Sequence, residues 1–163
     1  VIKGDIILAR NKGMLFDKIR EAMGSEYDHV GIMITENTLI DATPTSGVAV
    51  RSLEVFNGLD VQAYRLKDEY SPNIDKMVEY CLDKVGSKYD ILQTICLYFL
   101  MILGIKKTLN PIDVGNAFVC SELIAQAAVY SGFNFDESMA IDRITPADIA
   151  GSDKVIKVGE SNA

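Results

Sequence analysis

Short apolar runs, each closed by polar or glycine-bearing turns, occupy most of residues 2–66 and commit that part of the chain to β-structure. Ile2 to Arg10 reads as a first strand, entered through Gly4-Asp5. Val30 to Ile34 and Leu39 to Thr43 flank Thr35-Glu36-Asn37-Thr38 and read as a hairpin. Gly47 to Arg51 extends the sheet, Ser52 to Phe56 supplies a turn of helix, and Val61 to Leu66 is a further strand. One helix interrupts the series: Leu15, Phe16, Ile19, Ala22 and Met23 follow a period near 3.6 until Gly24-Ser25.

Beyond Ser71-Pro72 the period changes. Ile74, Met77, Val78, Cys81, Leu82 and Val85 recur at helical spacing, with Pro72 in the first turn, where its missing N–H costs nothing, and Gly86 at the close. Ile91 to Ile105 is the most apolar stretch, interrupted only by Gln93, Thr94 and Gly104. It falls short of the roughly 20 residues that a bilayer-spanning helix needs and reads as a buried helix. A second reading makes it a hydrophobic wall or flap for an acyl chain or a membrane surface, with Lys106-Lys107 behind it as an interfacial anchor. After a loop around Asn110-Pro111, a helix begins at Cys120, carries Leu123, Ile124, Ala127 and Ala128, and ends at Ser131-Gly132. The remainder reads as a turn at Thr145-Pro146-Ala147-Asp148 and a short strand from Val155 to Val158. No repeat, low-complexity tract or linker divides the 163 residues, so one domain over 1–163 is expected.

Composition removes several function classes. A net charge of -7 without clustered Lys and Arg argues against nucleic acid. One histidine cannot build a multi-histidine metal site, and Cys81, Cys96 and Cys120 form neither a CxxC pair nor a disulfide framework. No metal and no organic cofactor is therefore expected. Free thiols fit a reducing compartment. With no signal peptide or twin-arginine motif after Val1, the expectation is cytoplasmic, with the cell envelope open if an upstream segment had been removed.

What remains is a thiol and an imidazole. Cys120 stands where a helix begins, followed by the helix-start residues Ser121 and Glu122, and a helix N-terminus together with a nearby imidazolium lowers a thiol's pKa from ~8.5. Cys81 and Cys96 lie on apolar helical faces and read as small buried hydrophobes. His29 opens a strand behind Asp28, at the end of the sheet, and Gly31 leaves space on the same face for another side chain or a substrate. Taken alone, such a histidine is most often a satisfied structural residue. Facing a thiol, it becomes the base of a cysteine nucleophile.

A third group should fix the imidazole tautomer, and Asp41, an acid among apolar strand residues, is the candidate. Strand parity tests it. A two-residue loop at Glu36-Asn37 would pair Ile32 with Asp41 and turn Asp41 away from His29; an odd loop or a bulge between Thr35 and Thr38 restores the shared face.

Gly4-Asp5-Ile6-Ile7, His29-Val30-Gly31-Ile32, Ile40-Asp41-Ala42 with Ser46-Gly47-Val48, Gly86-Ser87-Lys88-Tyr89-Asp90 and Cys120-Ser121-Glu122-Leu123 occur in that order. The series resembles the circularly permuted branch of the NlpC-type papain-like superfamily, the YiiX/YaeF-like permuted amidases, relatives of the lecithin–retinol acyltransferase group. In unpermuted relatives the cysteine precedes the histidine; here it follows. The resemblance spans about 130 residues, from Gly4 to roughly Gly132. It implies an α+β, papain-like, circularly permuted fold in which an antiparallel sheet packs against helices.

The resemblance further implies Cys120 as nucleophile, His29 as base, Asp41 as the polar third residue and Tyr89 in the oxyanion hole; Gly31 and Ser121 are the candidates for contact with the substrate. A structural alternative for Tyr89 is a helix-end aromatic packed on the core. The implied activity is that of a cysteine hydrolase or amidase, or an acyltransferase, acting on an amide or ester. The long apolar insertion between Tyr89 and Cys120 departs from compact wall-cleaving relatives and favours an acyl-lipid or other hydrophobic small molecule over a peptide. The rival expectations are a peptidoglycan peptidase and a non-catalytic domain that binds lipid or touches a membrane through Ile91 to Ile105.

Overall fold

A computed structural model of the chain describes residues 1–90 and 117–158. The stretch from Ile91 to Ile105, with Cys96, lies outside the described residues. Six strands form one antiparallel sheet: β1 (Ile6–Arg10), β2 (His29–Met33), β3 (Thr38–Thr43), β4 (Gly47–Ser52), β5 (Asp60–Leu66) and β8 (Val155–Lys157), ordered β4-β3-β2-β1-β5-β8. The helices are α1 (Met14–Met23), α2 (Ile74–Asp83), α3 (Cys120–Ser131) and α4 (Pro146–Gly151), with 3-10 turns at Leu53–Phe56, Ser71–Asn73 and Ile141–Arg143. A short parallel pair, β6 (Lys88–Tyr89) with β7 (Ala117–Phe118), completes the described elements.

Alternation along the strands divides the core. Ile6, Leu8, Val30, Ile32, Ile40 and Ala42 project from one sheet face and pack with Met77, Cys81, Leu123 and Ile124 of α2 and α3. On the other face Ile7, Ala9, Met33 and Leu39 gather around Phe56 in a smaller cluster. His29 pairs with Ala9 across the β1–β2 ladder, so it belongs to this second face.

Polar residues at strand entrances serve the framework. Asp5, fully buried, faces Arg65 of β5 and takes two of its N–H bonds, Nε to Oδ1 at 2.7 Å and Nη2 to Oδ2 at 2.8 Å. Helix α1 is fixed in an unusual way, since its one buried side chain is Arg20. That guanidinium donates to Asp28, Asp17 and the Asn11 carbonyl, tying the helix to the entrance of β2. The apolar side chains of α1 are thereby left turned toward a cleft.

Two sequence expectations change. Thr145-Pro146-Ala147-Asp148 begins the helix α4 rather than forming a turn: Thr145 and Asp148 satisfy each other's backbone N–H in a capping box, and Pro146 takes the first turn. Helix α2 ends at Asp83, short of the periodic pattern, and Leu82 and Val85 are exposed.

Candidate active site

Between β2 and β3 the ladder runs Met33↔Leu39, Ile32↔Ile40 and Gly31↔Asp41, while the Ile34 N–H donates to the Thr38 carbonyl. Thr35, Glu36 and Asn37 are thus a three-residue connection, the odd loop that parity demands. Asp41 falls opposite Gly31 and on the same face as His29, and His29 Nε2 lies 2.8 Å from Asp41 Oδ2.

Gly31 makes that contact sterically feasible. A Cβ built there would lie 2.7 Å from Leu39 Cδ1, 2.9 Å from the Ile40 carbonyl and 3.2 Å from Asp41 Cβ. The space it leaves is taken by side-chain and backbone atoms of β3.

Cys120 is the first residue of α3 and buried, with Val119 extended before it. The helix's first backbone bond runs from the Leu123 N–H to the Val119 carbonyl, so the N–H groups of residues 120–122 precede the hydrogen-bond ladder. The thiol and the imidazole open onto the same cleft and interact electrostatically. Since Asp41 occupies Nε2, Nδ1 is the nitrogen left for sulfur. Burial opposes a charge on His29, but hydrogen bonds to Asp41 and Cys120 and the attraction of both groups outweigh it, and the imidazole is pushed up to about 10. Phe56 holds the ring edge-on, with centroids 5.8 Å apart. Cys81 has no such surroundings: burial pushes its thiol up to about 12.

Tyr89 stands in register with Phe118 of the parallel pair, two residues before Cys120, and its side chain lines the cleft. The position of β6 depends on Gly47. The Gly86 N–H donates to the Val48 carbonyl, the Val48 N–H to the Ser87 carbonyl, and a Cβ on Gly47 would sit 2.2 Å from the Ser87 oxygen. Ser121, buried, also lines the cleft.

Two arginines near the site carry no signal in the sequence. Arg51, on β4 two positions beyond the partner of Asp41, reaches the same face and places Nε 3.5 Å from Asp41 Oδ1. Arg143, in the last 3-10 turn, is 2% exposed and lines the cleft, as Cys120 does. The cleft has a volume of about 450 Å³. Its walls include Leu15, Phe16, Ile19 and Met23 of α1 and Val55 and Leu59 near the first 3-10 turn, and His29 and Cys120 open onto it. Among the described residues no group of three or more His, Cys, Asp or Glu side chains could hold a metal ion, and no helix is long and apolar enough to cross a membrane.

A family described as "Permuted papain-like amidase enzyme, YaeF/YiiX, C92 family" matches residues 1–158. A crystal structure described as metalloprotein YiiX from Escherichia coli O157:H7 superposes with a TM-score of 0.67 at 14% identity, covering 98% of this chain and 97% of that one. That likeness concerns the fold. No curated protein gave a match. The family match extends over nearly the whole chain, and the sheet, helices and histidine-before-cysteine order agree with it: the chain belongs to the permuted papain-like amidases of the YaeF/YiiX type and is a cysteine hydrolase with an α+β fold.

Proposed function

We propose that Cys120, His29 and Asp41 form the catalytic triad of an amidase or esterase whose substrate carries an apolar acyl chain. One observation carries the reading: a thiol at a helix N-terminus and an imidazole held by a buried carboxylate open together onto a cleft walled by apolar side chains. Asp41 fixes the ring with Nδ1 toward sulfur and stabilises the imidazolium. His29, charged at neutral pH, already holds the proton drawn from Cys120, and the thiolate of that pair attacks the carbonyl carbon. The Cys120 backbone N–H and the Tyr89 hydroxyl receive the oxyanion. The imidazolium then protonates the leaving amine or alkoxide, and water, or an acceptor alcohol or amine in the transferase variant, resolves the thioester.

The apolar walls favour an acyl substrate over a wall peptide, whose polar backbone would lose water without hydrogen-bond partners on Leu15, Phe16 and Ile19. The test is mass spectrometry of the protein after exposure to acyl and peptidyl thioester-forming substrates, alongside hydrolysis rates. An acyl adduct on Cys120, absent in Cys120→Ala, is expected, and Tyr89→Phe should slow turnover by ~100- to 1000-fold if its hydroxyl donates to the oxyanion. Faster turnover of wall peptides than of dodecanoyl amides would overturn the substrate assignment. No adduct on any substrate, with iodoacetamide modifying Cys120 no faster than Cys81, would leave a lipid-binding domain without catalysis.

A further inference from the structure

Of the two buried arginines, Arg20 and Arg143, the first is paired, as is the part-exposed Arg65. Arg20 donates to two carboxylates and a carbonyl, and Arg65 forks onto Asp5. Arg143 is the exception. Its Nε and both Nη atoms are buried and have no hydrogen-bond partner among the described residues. A guanidinium cannot shed its proton, and an unpaired charge away from water is strongly unfavourable. Yet the residue is firmly placed: its turn packs on α3, its N–H donates to the Ala140 carbonyl, and the capping box of Thr145 and Asp148 follows directly. It lines the cleft together with Val119, Cys120 and Ser121.

We propose that Arg143 is the subsite for an anionic group, carboxylate or phosphate, carried by the molecule that enters the cleft. A planar fork of N–H donors matches two oxygens of either group. The apolar walls contributed by α1 would take the chain, and the nucleophile would lie between chain and anion. The substrate class is then an acyl group joined by an amide or ester to an anionic headpiece, as in an N-acylated amino acid or an O-acylated alcohol that carries a phosphate. The inference rests on the proposed reaction for its role in turnover, but its binding content is independent of it.

The experiment uses the full chain with Cys120→Ala, which holds ligand without turnover, and titrates it calorimetrically with N-dodecanoylglycine, N-dodecanoylglycinamide, dodecyl phosphate and inorganic phosphate. At least one of the two chain-bearing anions should bind tenfold or more tightly than the neutral amide, and than inorganic phosphate alone. Arg143→Met on the same background should erase that preference while leaving the amide's affinity within a fewfold. Without ligand, Arg143→Met should melt at the same or a higher temperature, because an unpaired charge is removed, whereas a structural ion pair would make it melt lower. Equal binding of acid, phosphate and amide overturns the proposal, as does a preference that survives Arg143→Met or inorganic phosphate binding as tightly as the chain-bearing anions. Anion preference in Cys120→Ala beside a wild type that hydrolyses nothing would sink the amidase reading and leave the subsite standing.

Discussion

His29 is the one imidazole of the chain, so its protonation can be watched without assignment. With its pKa raised to about 10, the ring should remain protonated at pH 8 in nitrogen-resolved NMR; a midpoint near the ordinary 6.5 would contradict the geometry around Asp41 and Cys120. Stability follows with a defined sign. Below pH 6.5 the imidazole is charged in folded and unfolded chains alike and its contribution is complete; that contribution is lost as pH rises through about 10. The urea midpoint of the wild type should therefore fall over that interval more than that of His29→Gln. Arg51 belongs to the same network. Arg51→Ala frees the buried Oδ1 side of Asp41 and should lower kcat by up to about 100-fold through misplacement of the ring, with KM little changed and Arg51→Lys recovering part of the loss. The thiol, the imidazole and the buried acid were legible in the sequence because each is a rare chemistry in an apolar setting. Arg51 and Arg143 were not, since an arginine's letter carries no sign of whether its head is solvated or enclosed.

The hairpin joining β2 to β3 decides which side chains share a face. Its three-residue connection places Asp41 opposite Gly31; if the loop keeps three residues after removal of Asn37, the ladder must slip by one residue, and Asp41 then moves to the face packed against α3. A variant with the slipped ladder should lose turnover and the raised imidazole pKa even where circular dichroism shows the sheet retained; unchanged activity would mean that the connection shortens to two residues and the ladder stays in register. Parity was legible because the strands are long enough for their alternation to be counted. The pair β6 and β7 was not, having two residues in each strand and no period to detect. Helix α1 was legible from its helical spacing, but not the direction of its apolar face: Arg20 is the buried anchor, while Leu15 and Phe16 look into the cleft.

At the scale of the molecule, strand order and helix packing bring side chains of α1, of the stretch from β2 to Leu59, of Tyr89, and of residues at the start of α3 and after its end to one cleft. No local pattern encodes that meeting, and it became legible only through the order of several short motifs taken together. The cleft sets an expectation for substrates. Each methylene removed from water is worth about 0.8 kcal/mol, so kcat/KM should rise about fourfold per added carbon of the acyl chain until the space is filled. Measured over a series of p-nitrophenyl esters, a flat dependence would show that the chain does not lie along α1. The contact between Gly47 and Ser87 has a bearing on how such a protein can vary over generations. Most harmful side chains can be offset by trimming the neighbour they strike, but the atom in the way at residue 47 is the oxygen of a peptide bond, which every residue at 87 would also supply. A lineage that loses this glycine has no compensating substitution open to it at 87; it must move the whole strand that carries Tyr89, or return.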